Sequence, residues 1–130
     1  MLTPVQILRR IRQICLSLPE ATEKEAWGSP TFRVKDRIFV MFVTDHHGDG
    51  RLALWLSAPS GAQAAMVEGD PRRFFVPPYV GSKGWLGVRL DRRPSWAVVA
   101  ALIEAGYRQV ASRPGRGGRK ASARPPRTRS

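Results

Sequence analysis

In two short segments of the sequence, large aliphatic residues alternate with positions that include tryptophans and arginines. Successive side chains of a β-strand point to opposite faces of a sheet, so in segments 51–57 and 85–90 the leucines and the valine would share one face. The opposite face would carry aromatic rings, which can stack on nucleic-acid bases, beside cations, which can hold phosphates. The residues predicted to bind nucleic acid or another ligand are Arg51, Trp55, Tyr79, Lys83, Trp85 and Arg89.

Two other interpretations of these residues stay open. In the first, Trp55 and Trp85 fill a core or line a groove, and the arginines are simply solvated. In the second, the aromatic face lies in a concavity that binds a small molecule or a partner protein. We expect nucleic-acid binding, specifically to DNA, with a small-ligand or protein-partner adaptor as the alternative function.

The sequence carries no arrangement of residues that is typical of catalysis. It has no nucleophile elbow, P-loop or dinucleotide fingerprint. The glycine-bounded loop 81–84 is typical of a plain turn, and Cys15 falls on an apolar helix stripe as a structural residue. Adjacent His46 and His47 cannot easily converge on one metal ion, so their loop is expected to be solvated. We predict that the protein is not an enzyme and has neither a cofactor nor a metal site.

The elements that would position the aromatic face alternate between helices and strands. Thr3-Pro4 is typical of a helix start, and apolar residues then recur at helical spacing until Pro19 ends the pattern. Strands are predicted at 31–34, 37–43, 51–57 and 85–90, with a short helix capped by Ser60 and a last helix from 95. Short turns favour antiparallel pairing. The predicted fold is α+β: a twisted antiparallel sheet with N- and C-terminal helices packed on one face.

Positive charge is concentrated at the C-terminal end of the 130-residue chain. The net charge is +12, yet residues 1–111 account for only +5 of it. We predict a folded domain at 1–111 and a disordered basic tail at 112–130, because the tail lacks the apolar residues needed to offset its ordering entropy. The tail is expected to attract DNA or another polyanion through Arg113, Arg116, Arg119, Lys120, Arg124, Arg127 and Arg129.

Cysteine content and hydropathy indicate where the protein resides. One cysteine cannot form an internal disulfide, which favours a reducing compartment. No apolar run approaches the ~18 residues that a membrane span needs, and the early arginines do not suit a signal peptide. We therefore expect a cytoplasmic protein with no membrane partner.

Two signatures in the sequence resemble those of the YjbR/MmcQ family of small bacterial proteins. The first is Leu18-Pro19-Glu20 followed by the segment WGSPTFRV at 27–34, and the second is FFVPPYVG at 74–81 followed by Trp85. The resemblance covers about residues 3–111 and implies a frataxin-like (CyaY-like) fold with DNA-binding loops. Frataxins bind iron through an acidic helix face, but the first helix here carries arginines, so the resemblance implies no iron site.

Overall fold

The first helix, α1 (Pro4–Leu16), begins at the predicted Thr3-Pro4 pair. The hydroxyl of Thr3 accepts a hydrogen bond from the backbone N–H of Gln6, and the Gln6 side chain accepts one from the N–H of Thr3. This reciprocal pair satisfies two N–H groups that have no partner within a helix. Ile7, Ile11 and Cys15 form the buried stripe of α1, as their spacing predicts. The computed structural model describes residues 2–113.

Six antiparallel strands form one sheet. They are β1 (Thr22–Ala26), β2 (Ser29–Val34), β3 (Arg37–Thr44), β4 (Leu52–Leu56), β5 (Phe74–Phe75) and β6 (Leu86–Arg89), in the spatial order β1-β2-β3-β4-β6-β5. Strand β1 was not predicted, because its charged residues lack the alternation typical of a half-buried strand. Its place in the sheet comes from pairing with β2, from Thr22 opposite Arg33 to Ala26 opposite Ser29.

Two tight turns join the first three strands, and both use left-handed backbone conformations. Trp27 and Gly28 have φ of 54° and 76°, and Lys35 and Asp36 have φ of 54° and 62°. Positive φ at both central residues is the requirement of a type I′ turn, which matches the twist of paired strands. The second hairpin therefore forms a tight turn without the glycine that favours such turns.

The two remaining helices are α2 (Ala62–Gly69) and α3 (Trp96–Ala111). The prediction that Ser60 caps α2 was wrong: the helix begins after Gly61, whose φ is 87°, and no side chain caps it. Helix α3 begins at Ser95, whose hydroxyl accepts a hydrogen bond from the N–H of Val98. Gly106 of α3 packs so tightly on the carbonyl of Ser57 that a Cβ would overlap it, which explains the glycine.

The core lies between one face of the sheet and the terminal helices. Its buried sheet residues include Phe32, Phe39, Leu54 and Leu86, and they pack against the apolar stripes of α1 and α3. The fold is therefore the predicted α+β arrangement, with the N- and C-terminal helices on one side of an antiparallel sheet. The opposite sheet face carries a second, smaller apolar cluster around Trp55, and helices α1 and α3 leave this face uncovered.

Candidate nucleic-acid interface

A groove with a volume of about 990 Å³ lies on the sheet face that α1 and α3 do not cover. Its floor is apolar and comes mainly from β3, through Ile38, Met41 and Val43. Because side chains alternate along a strand, the helix-packed face keeps the leucines of β4 while Trp55 turns into the groove. The groove therefore follows from the same alternation that the sequence shows.

Aromatic rings form one wall of the groove. The ring of His46 packs edge-on against Trp55, with centroids 4.9 Å apart, and against Tyr79, with centroids 5.6 Å apart. His47 places Nε2 3.1 Å from the Tyr79 hydroxyl, and Trp85 completes the wall. These contacts between His46, Trp55, Tyr79 and His47 hold the aromatic wall in place before any ligand arrives.

The loop that carries Tyr79 and Lys83 is anchored from α2. The side-chain amide of Gln63 donates hydrogen bonds to the carbonyl oxygens of Gly81 and Trp85, at 2.8 and 2.6 Å. A Cβ at Gly81 would lie 2.6 Å from Cγ1 of Val76, so the Val76 side chain would have to move to admit any other residue. The predicted plain turn at 81–84 is a short 3₁₀ helix, Gly81–Lys83, that ends at Gly84 with φ of 85°. This loop presents Tyr79 and Lys83 at the groove.

Arginines lie at the other end of the groove, beside the β2–β3 turn. The Nε of Arg33 donates a hydrogen bond to the Thr31 hydroxyl at 3.1 Å. Its guanidinium also forms a salt bridge with Asp36, with Nη1 and Oδ1 3.9 Å apart. Arg37 is half-buried in the groove lining and forms no salt bridge within residues 2–113. Arg113 joins them, because the Lys35 ammonium donates to the carbonyl of Ala111, 2.9 Å away, at the end of α3.

The structure places four of the six predicted site residues in this groove: Trp55, Tyr79, Lys83 and Trp85. Arg51 and Arg89 lie outside it. Arg51 stacks its guanidinium 4.2 Å from the centroid of Phe75, and Phe75 in turn covers Gly87. Arg89 donates two hydrogen bonds to the carboxylate of Asp91, at 3.0 and 2.9 Å. Both arginines are thus occupied by contacts within the fold.

The Arg89–Asp91 pair also changes the charge balance beside the groove. Burial raises the pKa of Asp91, but the hydrogen bonds and charge of Arg89 outweigh burial and leave that pKa below its ordinary value. The hydrogen bond to Asp91 raises the pKa of Arg89. The carboxylate of Asp91 therefore stays ionised at neutral pH. It neutralises Arg89, which was predicted to contact phosphate.

Several groove residues were missed by the sequence analysis. Trp27, Arg33 and Arg37 line the groove from the first two hairpins, and His46 lines it from the β3–β4 loop. The prediction of a solvated loop was wrong for His46, which is half-buried among aromatic rings. The alternation of side chains along β2 places Arg33 on one face of the strand. This is the one indication in the sequence that Arg33 lines the groove.

Other predicted functional features fall elsewhere or outside the described residues. Six of the seven tail cations, Arg116, Arg119, Lys120, Arg124, Arg127 and Arg129, lie beyond Arg113, where the described part of the chain ends. Within 2–113, no cluster of three His, Cys, Asp or Glu side chains is arranged to hold a metal ion. Over the same residues, no helix has both the length and the apolar content needed to cross a membrane.

Comparisons with known proteins place the fold and its family. The crystal structure of Deinococcus radiodurans protein DR2400, which carries a DUF419 domain, superposes with a TM-score of 0.70 at 23% identity, covering 92% of this chain and 87% of that one. At that identity the likeness supports the fold alone. A search of curated proteins gave no match. The YjbR family model matches residues 16–109, which include the groove walls from Trp27 to Trp85, and the chain therefore belongs to the YjbR family.

Proposed function

We propose that this protein is a non-catalytic nucleic-acid-binding protein that holds unpaired DNA bases in the groove. The observation that carries the proposal is the meeting of aromatic rings and uncompensated cations on one concave surface. Trp55, Tyr79 and Trp85 line the groove together with Lys83 and Arg37. Stacking platforms beside a positively charged groove are the usual means of binding single strands without reading their sequence.

Unpaired bases suit this groove better than a duplex does. In a double helix the base faces are covered by their neighbours, so only the base edges and the backbone are available for contact. The groove instead is concave and lined by aromatic side chains, of which Tyr79 is largely exposed, so an extruded or single-stranded base can reach it. The exposed arginines of α1, Arg9 and Arg10, and the basic segment after Arg113 add sequence-independent attraction to phosphates.

The proposal is tested by removing groove cations against a matched loss of charge elsewhere. We expect Lys83→Ala with Arg37→Ala to weaken binding of labelled single-stranded DNA in fluorescence anisotropy. The salt dependence of the affinity should fall by roughly 1.4 in slope, about 0.7 for each lost phosphate contact on a single strand. Measurements use the full chain over a range of salt concentrations.

The matched control is Arg72→Ala with Arg92→Ala. Both arginines are exposed and neither lines the groove, so the control removes the same charge from another part of the surface. We expect a clearly smaller change in slope for this control. Equal losses in the two variants would mean that attraction to DNA is a property of net charge, and the groove would have no part in it.

A second candidate function rests on the size of the groove. Sites for small molecules have volumes of about 300–1,000 Å³, and the groove volume of about 990 Å³ lies at the upper end of that range. The ligand would be a planar aromatic anion, stacked on the wall and paired with Arg37 or Lys83. A thermal-shift screen separates the functions, because only a bound ligand raises the unfolding temperature. Stabilisation by a small anion but not by single-stranded DNA would favour this candidate.

A further inference from the structure

The two most exposed large apolar side chains among the described residues lie on the rim of the same groove. Trp27 is 79% exposed and Tyr79 is 69% exposed, and both line the groove. Leaving an aromatic ring in water forgoes the free energy of burying it. Exposed apolar surface bordered by polar groups is typical of a surface that binds something.

The backbone of both residues is also in an unfavourable conformation. Trp27 has φ of 54° and Tyr79 has φ of 65°, in the left-handed region that is an outlier for bulky side chains. Such conformations cost on the order of 1 kcal/mol or more and tend to occur at functional sites. Of the described non-glycine residues with positive φ, only Trp27 and Tyr79 are a tryptophan or a tyrosine.

The fold accounts for Tyr79 but not for Trp27. Tyr79 is held by its contacts with His46 and His47. Trp27 has no aromatic or cation–π partner within residues 2–113. Its turn would form more readily with asparagine at this position, because Asn-Gly is the favoured pair for a type I′ turn. The tryptophan therefore has no evident structural purpose.

The sheet register brings Trp27 to the same end of the groove as the aromatic wall. Thr31 of β2 pairs with Met41, which pairs with Trp55 of β4, so the β1–β2 turn and the β3–β4 loop with His46 project from one end of the sheet. Strands β2 and β4 are two strand spacings apart, about 10 Å. Elements carried on strands at that separation leave room for a planar ring between them, since stacked rings have centroids about 4.5–7 Å apart.

We propose that Trp27 is a ligand-stacking residue, which covers an unpaired base from the side of the groove opposite Tyr79. This inference rests on the proposed function, and it identifies the bound part of the ligand as a planar base rather than the phosphate backbone. Arg33 and Arg37 lie toward the far end of β2, up to about 20 Å from Trp27 by strand rise. A strand with its base at Trp27 would span that distance over several nucleotides, so phosphates farther along the strand, and not the adjacent ones, would reach these arginines.

The test separates base stacking from phosphate contact. Two fluorescein-labelled probes are used, an oligothymidylate of about 12 nucleotides, within the range of known single-strand site sizes, and an abasic strand of the same length. We expect Trp27→Asn to weaken oligothymidylate binding about fivefold or more, as loss of one base–aromatic stack implies. Binding of the abasic strand should be unchanged, because the variant removes no charge.

Thermal unfolding shows whether Trp27→Asn weakens binding by destabilising the fold and not by removing a stacking ring. Since Asn-Gly favours the turn, Trp27→Asn should unfold at the same temperature as the natural protein or higher. Glu20→Gly is the control: Glu20 has φ of 62° and does not line the groove. This change relaxes a left-handed residue elsewhere, and we expect it to leave the preference for bases over the abasic strand unchanged.

The possible results distinguish the two proposals. If the natural protein prefers oligothymidylate to the abasic strand and Trp27→Asn keeps that preference, the role of Trp27 is overturned while the proposed function stands. If the natural protein binds the two strands equally, or neither, base binding in the groove is itself wrong. Weaker binding to both strands by the same factor would also contradict a stacking role.

Discussion

The two faces of the sheet carry similar types of residue, but one face is packed as a core and the other forms an open groove. On the face packed by α1 and α3, the large side chains of Phe32, Phe39 and Leu54 are fully buried. On the opposite face, Trp55 is almost as buried, but half-buried Met41 and exposed Tyr79 surround it, with arginines at the margin. The first face is complete without a ligand, whereas the second leaves planar rings and cations that the fold does not fully use.

This difference teaches that an aromatic residue on a strand does not identify a binding face by itself. Phe39 and Trp55 are both buried, but their neighbours differ. Phe39 contacts Tyr107 of α3 edge-on, with ring centroids 5.4 Å apart. Trp55 instead contacts loop residues that reach solvent. We expect substitutions on the first face to change stability, and substitutions on the second to change binding.

The largest expected effect comes from truncating the helix-packed face. Leu54→Ala removes a fully buried side chain and should lower the free energy of unfolding by about 2–5 kcal/mol. Met41→Ala, on the half-buried floor of the groove, should cost only about 1 kcal/mol. Urea denaturation of both variants measures the difference. Equal losses would mean that the open face is as much a core as the covered one.

A smaller effect is expected where α3 approaches the sheet most closely. Gly106→Ala places a methyl group against the carbonyl of Ser57, so helix and strand must separate. We expect destabilisation of about 1–3 kcal/mol from overpacking, despite the better helix propensity of alanine, and a lower midpoint in thermal unfolding. An unchanged or higher midpoint would show that α3 can shift on the sheet, and that the covered face is less rigid than its packing indicates.

The smallest effect concerns the one titratable thiol in the covered face. Burial, reinforced by the negative charge of Glu23, raises the pKa of the Cys15 thiol above its ordinary value. The unfolded chain then loses this proton first, so stability should fall as pH rises above about 8.5, by at most about 1.4 kcal/mol per pH unit. Cys15→Ala should remove that part of the decline. Parallel curves for the two proteins above this pH would contradict the prediction.

The sequence predicts most of the fold because its strongest patterns are local. The cap at Thr3-Pro4, the period-two strands and the apolar stripe of α3 each depend on neighbouring residues, and all are observed. Strand β1 was missed because its position depends on pairing with β2 and on the hydrogen bonds that Arg12 donates to Glu23. Residues 22–26 have no apolar alternation that would predict this strand.

The site was only partly predictable because its composition depends on contacts between distant segments. Alternation placed Trp55 and Trp85 on one face correctly. Two arginines predicted on the same face are occupied by other contacts: Arg51 stacks on Phe75, and Arg89 pairs with Asp91. The first contact depends on where β5 lies, which the sequence does not show. The second is local, because Asp91 is two residues from Arg89, and it was overlooked in the sequence.

The charged edge strand β1 has a consequence for the behaviour of the protein at high concentration. An exposed sheet edge offers unpaired backbone groups to other chains and is a common starting point of aggregation. Here one edge carries Glu23, Lys24 and Glu25 in succession, and the other edge, β5, is only two residues long. Strand addition would have to accommodate those charges or end after one or two hydrogen bonds. Both edges therefore disfavour fibril-like growth, while the aromatic groove can stay open without making the protein prone to self-association through its strands.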